Sequence, residues 1–99
     1  MTDREAQRAM ATKVADWLGG HVPTEQFLSE YWQTRRELLN TNWRAFEGAF
    51  GEEMSSVDTA VDSYRSGDRS DLEIDEQQLR QELLAAMERL RKRAPGVLG

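Results

Sequence analysis

Apolar residues recur along this chain at the three- to four-residue spacing of amphipathic helices, and they do so in four separate segments. The first segment predicts a helix over about residues 3–18, ended by Gly19-Gly20 because glycine readily adopts the left-handed conformation that closes a helix. The second predicts a helix that begins near Pro23 or Thr24 and runs to the polar residues 40–42. The apolar stripes of these two helices consist of Met10, Val14, Trp17 and Leu18, and of Phe27, Leu28, Tyr31, Trp32, Leu38 and Leu39.

The third segment keeps helical spacing but carries two glycines near its start. Gly48 and Gly51 each weaken a helix by about 1 kcal/mol relative to alanine. We therefore expect an irregular or one-turn lead-in from Trp43, followed by a helix over about residues 52–64. The apolar positions of this segment are Phe46, Phe50, Met54, Val57, Val61 and Tyr64.

The fourth helix is predicted to begin at Asp75, a good N-cap residue with Gln78 three positions later, and to end at Pro95-Gly96. Its stripe consists of Leu79, Leu83, Ala86, Met87 and Leu90. No segment shows the two-residue period of a strand. Four amphipathic helices with short links, none able to bury its stripe alone, predict one all-α domain over residues 1–99, folded as an antiparallel four-helix bundle.

Negative charge is concentrated in one quarter of the chain. The net charge is −5, yet residues 52–76 contain nine acidic and only two basic residues, a net of −7. This balance disfavours direct binding to nucleic acid, which needs clustered Lys and Arg, and favours a basic protein partner. We expect acids of this segment to form the partner contact, Asp58 and Asp62 on one face of the third helix and the others in the following loop. The predicted contact residues are Asp58, Asp62, Asp68, Asp71 and Glu73.

Residues that could carry catalysis are scarce. There is no cysteine, the single histidine, His21, sits in a glycine-containing turn, and no phosphate-binding loop is present. We therefore expect a protein that is not an enzyme and needs no cofactor. No apolar run is long enough for a signal peptide core or a membrane span, so we expect a cytoplasmic location and no membrane partner.

Residues 62–73 partly match a calcium-binding EF-hand loop. Asp62 stands first, Gly67 sixth and Glu73 last of twelve residues between two helices. The third position, however, is Tyr64 on the apolar stripe, the eighth is Arg69, and no partner loop exists. We expect no metal site and keep a calcium-responsive helical module as one alternative.

A second alternative is a structural homodimer. In that case Trp32 or Trp43 would be exposed at the interface between two copies. We expect a monomer when the protein is free.

The order of several short motifs resembles the colicin D immunity protein family. Residues 68–79 are similar to the signature before the last helix of that family, with an Asp-Arg pair followed by Glu-Ile-Asp and a leucine-bearing helix. Residues 17–27 look like its helix, short turn and second helix, and residues 35–38 look like the arginine-rich end of that second helix. Residues 57–64 are similar to its acidic third helix. The resemblance covers about residues 14–92.

This resemblance implies both a fold and a function. Proteins of the family are four-helix bundles that neutralise a cognate toxin, and the best-known toxin domain is a nuclease that cuts the anticodon loop of transfer RNA. Immunity works by filling the positive substrate cleft of the toxin with acidic groups that stand in for phosphates. The implied partner is therefore a basic toxin nuclease domain, and the concentration of acids in residues 52–76 agrees with that partner.

Overall fold

The computed structural model describes residues 1–65 and 75–98, and every regular element in these two ranges is helical. The elements are α1 (Asp3–Leu18), α2 (Thr24–Thr41), a 3₁₀ segment (Trp43–Phe46), α3 (Gly48–Arg65), α4 (Glu76–Arg93) and the short α5 (Pro95–Leu98). The prediction of an all-α chain with four long helices is thus confirmed. No helix of the described ranges is both long enough and apolar enough to cross a bilayer.

Side-chain caps set the beginnings of α1 and α4. The Thr2 hydroxyl accepts the backbone N–H of Glu5 at 3.1 Å, and the Glu5 carboxylate accepts the Thr2 N–H at 3.3 Å. This reciprocal pair satisfies backbone donors that a helix start leaves unpaired. At α4 the Asp75 carboxylate accepts the Gln78 N–H at 2.8 Å, which confirms Asp75 as the predicted N-cap.

The core is formed by the predicted apolar stripes. The stripe of α4 is buried at every position, and α1 buries Met10, Val14 and Trp17. The face of α2 is narrower than expected, since Leu39 is 45% exposed and Trp32 is only half-buried. The largest side chains in the core are Trp17, Tyr31, Phe27, Phe50, Met10 and Met54.

Trp17 ties three helices together at one corner. Its ring stacks on Phe27 of α2, with centroids 5.0 Å apart, and its indole N–H donates to the Thr24 hydroxyl at 3.0 Å. The Arg80 guanidinium of α4 lies 4.8 Å from the Trp17 ring and donates to the Leu18 carbonyl at 2.7 Å. The end of α1 and the starts of α2 and α4 therefore meet at this residue.

The third helix begins four residues before the predicted position, at Gly48 rather than Glu52. Gly48 has φ +68°, a conformation that glycine adopts at little cost, so the chain can turn there from the 3₁₀ segment into α3. A Cβ at Gly51 would lie 1.8 Å from the Phe46 carbonyl oxygen. The two glycines are therefore required by a tight junction, which outweighs their low helix propensity.

Helical structure also continues beyond Arg93, because Pro95–Leu98, where the sequence predicts the end of the last helix, form a short helix of their own. After α4 ends, α5 folds back onto α1 and buries Val97. The Arg8 guanidinium donates to the Gly96 carbonyl at 3.2 Å. The proline ends α4 as predicted, but the residues after it form part of the packed structure.

Gly51→Ala should destabilise the protein by about 2 kcal/mol, because the added methyl group forces the Phe46 backbone away. At an ordinary exposed helix position the same change would stabilise, so the sign is diagnostic. Urea unfolding of Gly51→Ala beside Ser55→Ala, an exposed α3 control, measures it. An unfolding midpoint at or above that of wild type would show that the junction relaxes freely.

Candidate functional site

The structure places two of the five predicted contact acids, Asp58 and Asp62, in α3. The other three, Asp68, Asp71 and Glu73, lie outside the described residues, as does Arg69. Asp58 and Asp62 are four residues apart and so share one side of the helix, but their surroundings differ. Asp58 is partly buried, whereas Asp62 is exposed.

Asp58 bridges α3 to α2. Its carboxylate accepts the Tyr31 hydroxyl at 2.5 Å and the Arg35 guanidinium through Nε at 3.1 Å and Nη2 at 2.8 Å. The side chains of Asp58 and Arg35 are only 25% and 15% exposed. Tyr31 and Arg35 of α2 are its described hydrogen-bond donors, so the carboxylate serves as an internal cross-link. The predicted role of Asp58 in the partner contact stays a prediction.

The Arg35 guanidinium is confined on a second side by an aromatic ring. It lies 4.5 Å from the centroid of Phe46 in the 3₁₀ segment, and its Nη1 is buried with no hydrogen-bond acceptor among the described residues. Burial and the neighbouring Asp58 charge raise the pKa of the Tyr31 phenol well above its usual value. Tyr31 is thus a neutral donor to Asp58 at any physiological pH.

A second ion-pair network joins α3 to α4. Glu53 is 5% exposed and accepts Arg89 Nε at 2.8 Å and Arg93 Nη1 at 2.9 Å. Arg93 also donates to Glu52 at 2.5 Å. Burial alone would raise the pKa of Glu53, but the two arginine hydrogen bonds outweigh it and lower that pKa.

These pairings change the charge that the surface presents. Glu52, Glu53 and Asp58 are three of the four acids in α3, and each is paired with an arginine from outside residues 52–76. The net of −7 counted along the sequence therefore overstates the negative charge of this part of the surface. The fourth acid, Asp62, forms no ion pair or hydrogen bond with any described residue.

Acidic groups without an ion-pair partner among the described residues gather where α2 begins, α3 ends and α4 begins. Glu76 accepts the Thr24 hydroxyl at 2.5 Å, which holds the starts of α2 and α4 together. Burial raises the pKa of the Tyr64 phenol, and the charges of Glu76 and Glu25 raise it further. This end of the molecule, to which the exposed Asp62 in the last turn of α3 adds a further carboxylate, is a negative surface of the described residues.

A groove lies beside this acidic end, along the outer face of α2. Its volume is about 740 Å³. It is lined by Glu25, Leu28, Ser29, Trp32, Gln33, Arg36 and Glu37 of α2 and by Tyr64 of α3. The sequence pattern did not reveal it, because Trp32 was assigned to the apolar stripe of α2.

The structural context does not favour the EF-hand alternative. Helix α3 continues through Arg65, so Asp62 and Tyr64, the first and third loop positions, lie in a regular helix where residues two apart point in different directions. The later positions of the motif lie outside the described residues. Within the described ranges no group of three His, Cys, Asp or Glu side chains could hold a metal ion.

His21 and Trp43 occupy exposed positions. His21 lies in the turn between α1 and α2, as predicted. Trp43 is 55% exposed, with the Arg44 guanidinium 5.3 Å from its ring centroid. The alternative of a homodimer through Trp32 or Trp43 stays a prediction.

Comparison with known proteins identifies no relative. No family model matches the chain, and no curated protein and no solved structure is detectably similar to it. The resemblance of residues 14–92 to the colicin D immunity proteins therefore stays a hypothesis.

Asp58→Asn should lower the free energy of unfolding by about 2–3 kcal/mol, because it leaves the Arg35 guanidinium buried without its counter-charge. Asp62→Asn makes the same change one helical turn later and should shift that energy by less than about 0.5 kcal/mol. Urea denaturation of both variants measures the contrast. Equal unfolding midpoints would refute the structural role of Asp58.

Glu53→Gln should cost about 1–2 kcal/mol at neutral pH, since its two arginine partners are partly solvated. Because folding lowers the pKa of Glu53, its contribution is complete above the usual carboxyl range and is lost as pH falls through the folded pKa. Wild type should therefore lose more stability than Glu53→Gln between neutral pH and about pH 3. Parallel pH–stability curves would contradict the assignment.

Proposed function

We propose that this chain is an immunity protein, which binds and neutralises a basic toxin domain of the tRNA-cutting nuclease class. The observation that carries the proposal is the acidic end described above, where Glu25 and Glu76 are exposed near Tyr64 and Asp62 is exposed in the last turn of α3. A nuclease that holds RNA must present a positive cleft, so a surface of fixed carboxylates can occupy it in place of phosphates.

The proposed architecture is the antiparallel four-helix bundle. Contacts between α1 and α2, between α3 and α4 and between α1 and α4 support it. The Thr24–Glu76 hydrogen bond places the starts of α2 and α4 together, and Tyr64 puts the end of α3 nearby. Neighbouring helices that alternate in direction in this way are expected of such a bundle.

We propose a binding role rather than catalysis, for a cytoplasmic monomer without a cofactor. The location of His21 in an exposed turn supports this view, as does the commitment of the partly buried Asp58 and Tyr31 to each other and to Arg35. A catalytic acid or base needs a position facing a substrate pocket. Charge complementarity would instead speed association with a basic partner, and the rate should fall with salt.

Co-expression with the toxin encoded beside it should protect cells, and Asp62→Ala should weaken toxin binding by about 2 kcal/mol or more if the pair becomes buried. The melting temperature of the Asp62→Ala variant should hardly change. Asp75→Ala should do the reverse, losing about 1 kcal/mol of stability with the α4 cap but keeping toxin affinity.

Calorimetric binding and thermal melts of the two variants measure both quantities. Cells that die as fast with this protein as without it would overturn the proposed function. Protection by wild type together with full affinity of Asp62→Ala would overturn only the acidic contact.

A further inference from the structure

The aromatic rings of this protein differ in whether the chain supplies them with a cation. Arg80 lies over Trp17 at 4.8 Å and Arg44 over Trp43 at 5.3 Å. A guanidinium or ammonium group over an aromatic face is attracted to its electron density, most strongly for tryptophan. Trp32 is the one tryptophan with no cation from the described residues over its ring.

Trp32 is held in place from one side and partly open on the other. Its ring packs edge-on against Tyr31, with centroids 5.2 Å apart and an interplanar angle of 82°. Tyr31 is itself fixed by its hydrogen bond to Asp58. The half-buried Trp32 therefore forms a preorganised part of the groove wall, and Tyr64 adds a second aromatic ring.

The charged side chains along the groove are negative on balance. Glu25 and Glu37 line the groove against the single base Arg36, and Glu76 adds its charge at the Tyr64 end. Glu25 and Glu37 are exposed, and neither has an ion-pair partner among the described residues. A basic segment lying along the groove would thus meet the tryptophan with one side chain and the carboxylates with others.

We infer that the groove along α2 binds an arginine- or lysine-bearing segment of the toxin, with one cationic side chain over Trp32 and further basic side chains near Glu25 and Glu37. The inference rests on the proposed function and extends its contact surface from the acidic end along α2. It adds an apolar and aromatic anchor to a surface that would otherwise act through charge alone. Tryptophan at the centre of an interface is among the residues whose loss weakens binding most.

The test measures toxin affinity of Trp32→Leu, which keeps apolar bulk but removes the large aromatic face, and of Glu37→Gln, which neutralises a groove acid outside the acidic end. Each should bind about tenfold more weakly than wild type. Trp43→Leu and Glu47→Gln, matched changes at exposed positions outside the groove, should bind like wild type. The glutamate variants change exposed side chains only, so they remain informative if Trp32→Leu folds poorly.

A hexa-arginine peptide tests the groove without the toxin. Titrated into wild-type protein, it should shift the indole N–H resonance of Trp32 and leave that of the buried Trp17 unchanged. Unchanged toxin affinity in both groove variants overturns the inference and leaves the proposed function standing. If wild type binds no toxin, the proposed function fails, and the peptide alone decides: a shift at Trp32 supports a cation site, and no shift overturns it.

Discussion

The arrangement of α2 and α3 depends on the hydrogen bonds that the Asp58 carboxylate accepts. This carboxylate receives a phenol and a guanidinium from α2, and that guanidinium in turn rests on Phe46 of the 3₁₀ segment. One acidic side chain therefore sets the positions of three elements. Because all these groups are largely withdrawn from water, each is costly to leave without its partners, and the set acts as a unit.

The same use of charge recurs between α3 and α4, where Glu53 is enclosed by Arg89 and Arg93. In both places the acid lies on α3 and the base on a neighbouring helix. Acids on α3 therefore serve two purposes, and the sequence pattern does not distinguish the acids that serve one from those that serve the other. Paired acids hold helices together, and Asp62, which pairs with no described residue, contributes to the surface.

Local patterns predicted what depends on local structure. The apolar stripe of α4 and the Asp75 cap follow from residues at most four positions apart, and the structure confirms both. The pairing of Asp58 with Arg35 connects residues 23 positions apart, and the pairing of Glu53 with Arg93 connects residues 40 apart. No periodicity encodes such partners, so the net charge counted along residues 52–76 overstates the negative charge that this segment presents at the surface. The low helix propensity of Gly51 predicted a later start for α3. The contact that requires glycine there is with the Phe46 carbonyl of the 3₁₀ segment, and helix propensity does not report such a contact.

The ion pairs between helices limit which side chains of this protein can be replaced without loss of the fold. Arg35 contacts both oxygens of Asp58 while its guanidinium lies over the Phe46 ring, a geometry that the single ammonium group of lysine cannot reproduce. The cross-links therefore tolerate few replacements. Asp62 and Glu25 are exposed and have no ion-pair partner among the described residues. The surface of related chains can therefore change at such positions while the same scaffold continues to fold.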